Sequence, residues 1–310
     1  MTVPGGAGVL VAAKGAGVTS FDVVATLRRA LGVRRIGHAG TLDPGAVGVL
    51  PILIGEATKL MPYVMDHDKE YRALVRLGVV TDTQDLGGRV LSTSPVPPLD
   101  RETLEQAVRP FVGRIKQVPP MYSALHHEGR RLYELARAGV EVRREPRDVV
   151  VHAIAVEAMT ETTITLRIVC GKGTYVRALA ADLGASLGCG AAVERLTRTR
   201  VGPFRLDEAV PWQEITGPSP ARLWERVLPP EAALRGWPTV TLAERAARNF
   251  VHGQTAEISG PPHGPGSRFL IVKDPSEIFL GIGESTAGGR LVKPARLLHA
   301  DRPRTDVLPA

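Results

Sequence analysis

Residues 37–54 read GHAGTLDPGAVGVLPILI and combine a glycine-rich loop with an apolar run. The glycines at 37 and 40 permit backbone turns barred to other residues and leave room for a ligand. Pro44 restricts the residue before it, Asp43, to extended conformations. Asp43 is the only carboxylate of the loop, and four arginines lie just upstream, at Arg28, Arg29, Arg34 and Arg35. This arrangement predicts a carboxylate held rigidly for presentation to an anionic polymer.

The same residues allow a second interpretation, in which Asp43 is a helix N-cap and Pro44 the first helical position. Gly45 and Gly48 are poor helix formers, however, and residues 47–54 have the composition of a buried strand. Both interpretations remain open on sequence alone.

The charge of the chain favours acidic partners, nucleic acid first. The formal net charge is +7 and the pI about 9.7. Residues 114–147 carry eight Arg or Lys against four Glu, and residues 194–205 carry four Arg against one Glu. Either cluster alone could be an ordinary solvated face. Several clusters around one acid favour a binding surface.

Cysteine usage and hydropathy indicate a cytoplasmic protein. Cys170 and Cys189 form no CxxC pair, so neither a disulfide framework nor a structural zinc site is predicted. The apolar run at residues 8–13 is too short for a signal peptide core, and no segment has the length of a membrane span. The histidines lack metal-ligand spacing, and we expect no metal.

Strands and helices alternate without a regular βαβ repeat. We expect strands near residues 9–12, 47–54, 71–79, 149–156 and 163–170, and helices after Thr19, after Asp100 and over 174–187. The first helix begins with the capping box Thr19-Ser20-Phe21-Asp22. These elements predict an α+β fold with a mixed, mainly antiparallel sheet flanked by helices, rather than a doubly wound sheet.

The pattern also predicts how the chain is divided. Residues 1–238 form the larger domain, with a basic insertion at about 119–147 that could fold over a ligand and a Pro- and Gly-containing linker at about 211–238. Residues 239–300 form a small β-rich domain with an amphipathic segment at 242–251. Residues 301–310 are a flexible tail.

Arg177 is a second candidate for the site. We expect Thr174 to cap the helix that follows, which puts Arg177 in the first turn, where the helix dipole disfavours a cation. A solvated arginine tolerates that position at a small cost, but a nearby carboxylate or phosphate would compensate it better. Asp43 is the candidate partner, because both residues lie where strands end.

Other motifs are weaker. Tyr71 and Tyr175 are compatible with ordinary core packing. The string Thr81-Asp82-Thr83-Gln84-Asp85 does not have the spacing of a calcium loop. No P-loop, GxSxG or catalytic cysteine signature is present. The remaining chemistry is one aspartate acting directly.

Four segments together resemble the bacterial TruB-type tRNA pseudouridine synthases, which isomerise uridine 55 in the T loop. They are Gly17-Val18-Thr19-Ser20; Gly37 to Pro44 with Gly48-Val49-Leu50-Pro51; Val118 to Ala124; and Gly173 to Arg177 with Asp182-Leu183-Gly184. Lys69-Glu70-Tyr71 fits as well. The combination is highly specific over residues 9–206, and the C-terminal segment is similar to the family's small PUA-like RNA-binding domain.

The resemblance implies a site. Asp43 would be the nucleophile, Tyr71 would stack on the target base, and Arg177 would pair with Asp43. His38 would fill the gap left in the RNA when bases are extruded, and residues 119–147 would be a thumb that grips the T-arm. Further RNA-binding positions are implied at Gly40, Thr41, His126, Arg147, Tyr175 and Leu196.

The resemblance also implies a partner and a chemistry. The substrate would be tRNA, bound at its T-arm and elbow by a monomer without an obligate protein partner, membrane or cofactor. The chain departs from the family pattern at Lys14-Gly15, where Lys-Pro is usual, and at His126, where a lysine is usual. Alternatives are a tRNA-folding chaperone, a synthase acting on another RNA such as ribosomal RNA, and a hydrolase that uses Asp43 and water.

Overall fold

The computed structural model describes residues 6–217, 219–258 and 269–298, so the expected tail at 301–310 lies outside the described residues. The helices are α1 Ser20–Leu31, α2 Met61–Asp66, α3 Arg101–Val108, α4 Leu132–Arg137, α5 Val176–Ser186, α6 Trp212–Ile215, α7 Pro220–Glu225 and α8 Glu244–Val251. Short 3-10 segments occur at Gly55–Leu60, Arg109–Phe111, Leu206–Glu208, Pro230–Leu234 and Ala287–Gly289.

The strands of the described residues are, in the first two thirds of the chain, β1 Gly8–Lys14, β2 Ile36–His38, β3 Val47–Ile54, β4 Lys69–Leu77, β5 Val79–Thr81, β6 Val90–Thr93, β7 Gly113–Gln117, β8 His126–His127, β9 Arg130–Arg131, β10 Arg147–Met159, β11 Thr163–Cys170 and β12 Ala191–Val201. They continue as β13 Phe204–Arg205, β14 Val210–Pro211, β15 Thr239–Thr241, β16 Ala256–Glu257, β17 Phe269–Lys273, β18 Phe279–Ser285 and β19 Leu291–Leu297.

The chain divides into two compact units. Unit 1 comprises Met1–Asp43, Val49–Met65 and Gly202–Ala310, and unit 2 comprises Pro44–Gly48 and Asp66–Val201. The chain therefore enters unit 2 immediately after Asp43. Each unit is described by itself below.

Unit 2 is built on an antiparallel sheet in the order β12-β4-β11-β10-β7. The first residues of β3 add to β12 in parallel, where Val47 and Gly48 pair with Thr197 and Arg198. Helix α5 packs against β12 and β4, and α3 packs against β10. Alternation of buried and partly exposed residues along β4 follows the two-residue period of a strand with one face in the core.

Two expectations for this unit need correction. The strand expected over 71–79 ends at Leu77, because Gly78 turns the chain at φ 79° and a separate short strand begins at Val79. The central strand β12 was missing from the sequence prediction. Its charged residues look like a solvated segment, although Arg198 is 1% exposed.

Unit 1 contains its own group of paired strands. Strands β14 and β1 run parallel, β1 neighbours β3, and β2 is antiparallel to β3. Helix α1 covers this sheet as expected: Thr19 and Asp22 form the capping box, Gly32 ends the helix at φ 65°, and the apolar stripe is buried. The core of this part contains Val23, Leu27, Leu31, Leu50, Ile52 and Ile54.

Residues 211–238 were expected to form a linker. The described positions 211–217 and 219–238 instead contain regular structure. They form α6, α7 and a 3-10 segment at Pro230–Leu234. Ile215, Leu223 and Val227 belong to the same core cluster as α1 and β1. The prolines begin these short helices, where a proline lacks no hydrogen bond that the helix needs.

The C-terminal part of unit 1 is a five-stranded sheet in the order β15-β17-β18-β19-β16, covered by the amphipathic helix α8. Its core contains Phe250, Leu270, Val272 and Val292. The expected β-rich character is confirmed. Among the described residues, no helix is long and apolar enough to cross a bilayer.

Both cysteines are buried and free, at 1% exposure for Cys170 and 2% for Cys189. Burial raises the pKa of the Cys170 thiol to about 11, so this group is a neutral thiol at pH 8. Because the thiolate is the reactive species, we expect the native protein to react with a thiol-specific chromogenic disulfide at pH 8 only through unfolding. In denaturant, both cysteines should react at once. Rapid reaction of Cys170 in the native protein would contradict this burial.

Candidate active site

The loop that carries Asp43 is fixed from helix α1. Ser20 Oγ accepts a hydrogen bond from Leu42 N at 2.9 Å and donates one to Leu42 O at 3.2 Å, and both residues are buried. Gly40 has φ 100°, a conformation that favours glycine. Ala39 N donates to Pro51 O at 2.9 Å. The backbone that leads to Asp43 is therefore held at Ala39 and at Leu42, while Asp43 itself is partly exposed.

Asp43 is not a helix N-cap, so that alternative is wrong. Pro44 and Gly45 form a turn, and the chain continues directly into strand β3. The chain forms a strand here because residues 49–54 are all buried. A short helix interrupted by Gly48 could not bury every one of these side chains.

Gly48 is the most constrained glycine next to this loop. Its φ is 112°, and a Cβ atom there would lie 2.2 Å from Arg198 O and 2.9 Å from Arg198 N. Such contacts are with backbone and cannot be relieved by a side-chain rotation. Gly48 thus allows the chain after Asp43 to lie directly on β12. Gly37, by contrast, lies in β2 without a positive φ, so the expected turn there is not formed.

Tyr71 lies on β4 between β11 and β12. It pairs across the sheet with Arg198 and with Ile168, and directly opposite residues of antiparallel strands share one face. Leu196 lies opposite Ala73 on that same face. Tyr71 is 9% exposed and Arg198 1%. The structure therefore groups Tyr71, Leu196 and Arg198 on one face of the sheet.

Arg177 is buried at the start of α5, at 4% exposure. Its Nη1 donates to Thr83 O at 2.6 Å and its Nη2 to Tyr122 O at 2.8 Å. Its Nε lies 3.8 Å from Asp85 Oδ2. The predicted anionic compensation exists, and within unit 2 it is supplied by Asp85. Pairing of Arg177 with Asp43 stays a prediction.

Asp85 belongs to a tight turn between β5 and β6. Its Oδ1 accepts hydrogen bonds from Thr83 Oγ1 at 2.8 Å and Gly87 N at 3.0 Å. Asp82 Oδ1 accepts one from Arg89 N at 2.9 Å. The acidic string over 81–85 therefore shapes its own turn and presents the Thr83 carbonyl to Arg177. Within the described parts of the chain, no group of three or more His, Cys, Asp or Glu could hold a metal ion.

The start of α5 differs from the sequence prediction. Tyr175, not Thr174, is the N-cap residue, and the helix begins at Val176. Thr174 Oγ1 instead donates to Gly171 O at 3.2 Å. The Tyr175 side chain makes no capping hydrogen bond, and the amide of Gln117 bonds to the Tyr175 backbone. Sequence reasoning missed Gln117 because a capping side chain from another strand leaves no local pattern.

A buried lysine lies on the same face, at the beginning of β4. Lys69 is 7% exposed and donates to His67 O at 2.5 Å. Burial, followed by the charge of Arg198, lowers the pKa of Lys69 to about 8. Its cross-strand neighbour is Cys170. The sheet face that carries Tyr71 therefore contains two buried basic side chains.

The insertion at 119–147 has an anchored base and an exposed, basic tip. Leu132 and Leu135 of α4 are buried, whereas His126 lies in the exposed β8–β9 hairpin. Arg147 is exposed at the beginning of β10. Of the other expected RNA-binding positions, Thr41 is exposed, and His38 and Tyr175 are partly exposed.

Comparison with known proteins matches most of the chain to one family. A model of the TruB family pseudouridylate synthase N-terminal domain matches residues 28–176. Models of the tRNA pseudouridylate synthase B C-terminal domain and of the pseudouridine synthase II TruB C-terminal region match residues 177–235 and 238–298.

Individual similar proteins carry names that agree with these family models. A protein of Moorella thermoacetica named tRNA pseudouridine synthase B is 48% identical over 241 residues, 76% of this chain and 79% of that protein. One of the same name from Chromohalobacter salexigens is 42% identical over 292 residues, 94% of each. A chain in the structure of an H/ACA ribonucleoprotein with a substrate RNA containing 2'-deoxyuridine has a TM-score of 0.69 at 22% identity, covering 95% of this chain and 86% of that one. This last likeness concerns the fold.

The mixed sheet, the helices and the appended β-rich domain are those of a pseudouridine synthase with a PUA-like C-terminal domain. The chain belongs to the TruB family of pseudouridylate synthases, and the resemblance inferred from the sequence is confirmed.

Proposed function

We propose that this enzyme converts uridine 55 in the T loop of tRNA into pseudouridine, with Asp43 as the nucleophile. The observation that carries the proposal is the fixed loop around Asp43 in a chain whose relatives, over 94% of its length, are named tRNA pseudouridine synthase B. The reaction breaks the bond between uracil N1 and ribose C1′, and a bond from C5 to C1′ replaces it. The C5 proton is lost and N1 gains one, so the atoms balance without a cofactor.

Asp43 would attack the sugar C1′ or the base C6. The target base is stacked within the T loop, so it must be flipped out at a cost of about a few kcal/mol. Stacking on Tyr71 and contacts of arginines with phosphates would offset this cost. The burial of Tyr71 between two neighbouring strands supports this role, because a ring held rigidly loses little freedom when a base stacks on it.

Arg177 would place positive charge beside the reacting carboxylate. Its position is set by three partners within unit 2, so the charge does not have to be organised when the RNA arrives. A guanidinium carries several N–H donors and can serve a carboxylate in addition to carbonyl groups. Pairing with Asp43 is the arrangement that we propose.

The remaining surface would read the shape of the T-arm. His38, Gly40 and Thr41 would contact the RNA from the Asp43 loop, together with His126, Arg147, Tyr175 and Leu196 of unit 2. Shape and splayed bases are the usual targets of RNA recognition. The exposed basic tip of the insertion supports the role of a thumb on the phosphates.

Release of tritium tests the activity. The enzyme is incubated with an unmodified tRNA transcript labelled at uridine C5, and with a hairpin of the same length that lacks the T-arm sequence. We expect label to be released to water from the transcript only. Stable tRNA binding without any release would support the chaperone alternative instead.

We also propose that the C-terminal domain contributes to tRNA affinity rather than to chemistry. Lys293 and Arg296 are exposed on β19, and Arg296 lines an open cavity of about 350 Å³ together with Lys59. Neutralising both, by Lys293→Gln with Arg296→Gln, should weaken tRNA binding about tenfold and reduce its salt dependence. The single-turnover rate at saturating tRNA should stay within about twofold.

The matched control for this prediction is Arg222→Gln with Arg226→Gln, which removes the same charge from exposed positions elsewhere in unit 1. That pair should leave affinity nearly unchanged. A fall in the single-turnover rate of the β19 variant, with affinity intact, would contradict a role restricted to binding.

A further inference from the structure

Gln117 makes an unusual pair of hydrogen bonds. It is the last residue of β7 and is 2% exposed. Its Oε1 accepts a hydrogen bond from Tyr175 N at 2.8 Å, and its Nε2 donates one to Tyr175 O at 3.0 Å. The side-chain amide thus satisfies both backbone groups of one residue, as a neighbouring strand would.

These bonds act at the beginning of α5. Tyr175 is the N-cap, and its own side chain makes no capping hydrogen bond. The carbonyl of Tyr175 also accepts the first helical bond, from Leu179 N at 3.1 Å. The first N–H groups of a helix have no partner within the helix, and an end without a cap frays easily. Gln117 therefore constrains the beginning of this helix from a neighbouring strand, through bonds that the Tyr175 side chain does not make.

The constraint reaches Arg177 through the first turn of α5. Arg177 follows Tyr175 by two residues, and its guanidinium bonds to Thr83 O and Tyr122 O. The orientation of the guanidinium depends on these acceptors and on where the helix begins. A displacement of about 1 Å in a group that supports catalysis can cost about a hundredfold in rate.

Gln117 also stands where the insertion leaves the sheet. Pro119 and Pro120 follow it and are buried, and Tyr122, which accepts the bond from Arg177, belongs to the insertion. One side chain therefore connects the root of the insertion with the helix that carries Arg177.

We propose that Gln117 is a positioning residue of the pseudouridine synthase reaction. It fixes the first turn of α5, so that Arg177 and the ring of Tyr175 are held in their working geometry while the insertion engages RNA. The proposal rests on the role proposed above for Arg177. It differs from a purely structural role, which would affect stability but not the balance between binding and chemistry.

The test compares Gln117→Met with the wild type. Methionine keeps the length of the side chain and removes both hydrogen bonds. We expect the single-turnover rate at saturating tRNA transcript to fall about 10- to 100-fold, while the dissociation constant stays within about threefold. The control Gln106→Met removes an exposed glutamine amide that donates a hydrogen bond to Glu102, and it should leave both values unchanged.

A second variant, Gln117→Glu, makes the test independent of packing. A carboxylate can accept from Tyr175 N but cannot donate to Tyr175 O, whereas the protonated acid can do both. Burial raises the pKa of the introduced carboxyl group, so lowering the pH should restore the missing donor. We expect the rate of Gln117→Glu, divided by the wild-type rate at the same pH, to rise between about pH 8 and about pH 6.

The results for the two Gln117 variants test the positioning role, and the result for the wild type tests the proposed function. A folded Gln117→Met variant with a single-turnover rate within twofold of the wild type would overturn the positioning role. A ratio for Gln117→Glu that does not change with pH would overturn it as well, and so would loss of the cooperative unfolding transition in both variants. If the wild type itself forms no pseudouridine in the transcript, it is the proposed function that fails.

Discussion

Asp43→Asn should abolish pseudouridine formation, by at least about 10,000-fold, while tRNA affinity stays within about threefold. The amide has nearly the shape of the carboxylate and can occupy the same loop, but it is a far weaker nucleophile. The backbone is held by Ser20 through Leu42 and by the turn at Pro44, and none of these contacts uses the Asp43 side chain. Single-turnover tritium release and filter binding on the same transcript measure the two quantities.

Asp207→Asn is the matched control for this prediction. Asp207 is exposed, and its carboxylate lies 3.8 Å from Arg205 on the surface of unit 1. We expect its activity and affinity to equal those of the wild type. Residual turnover by Asp43→Asn at more than about a hundredth of the wild-type rate would refute the assignment of Asp43 as nucleophile.

Gly48→Ala should be strongly destabilising, although it adds only one methyl group. The added Cβ would lie 2.2 Å from Arg198 O, in a residue whose φ of 112° is strained for any L side chain. Relief requires the first residues of β3, Val47 and Gly48, to move away from β12, a few residues after Asp43 in the chain. We expect a loss of about 3 kcal/mol or more in the free energy of unfolding and a large loss of activity, measured by denaturant unfolding and tritium release.

Gly45→Ala is the control, because it adds the same methyl group three residues earlier. Gly45 has no positive φ, and an added Cβ would meet no atom within 4 Å. Stability and activity should therefore stay close to those of the wild type. Equal stability of the two variants would show that the contact of Gly48 with the Arg198 backbone is not a constraint.

The elements with a clear period were predictable. Helix α1 carries a capping box at its start, an apolar stripe and a glycine at its end, and all three signals agree with the structure. Strand β3 was predictable because residues 49–54 are uniformly apolar, as expected for a strand buried on both faces. In such segments local preference and tertiary packing favour the same structure.

Other elements depend on contacts that the sequence does not display. Strand β12 contains Arg198, a charged residue that is buried beside Tyr71, and its pairing with β4 shifts register after that residue. Both features obscure the alternation of apolar and polar residues by which a strand is recognised in a sequence. In residues 211–238, prolines and glycines indicated a linker, but Leu223 and Val227 are spaced to reach the core of unit 1.

In the site, too, some features were predictable from the sequence and others were not. The helix dipole argument correctly required an anion near Arg177, but it could not identify Asp85, which is far away in sequence. Thr174 looked like the cap of α5 because its residue type suits that role, whereas the actual constraint comes from Gln117 on β7. Partners that meet only through the sheet leave no local spacing to find.

Position-resolved mapping of pseudouridine tests the central claim most directly. An unmodified tRNA transcript is incubated with the enzyme, treated with a pseudouridine-specific reagent and read by primer extension, beside a transcript in which uridine 55 is replaced by cytidine. The account predicts one new stop, at position 55, with wild-type enzyme and none with Asp43→Asn or with the replaced transcript. Modification at another uridine while position 55 stays unchanged, or the same stop with Asp43→Asn, would contradict it.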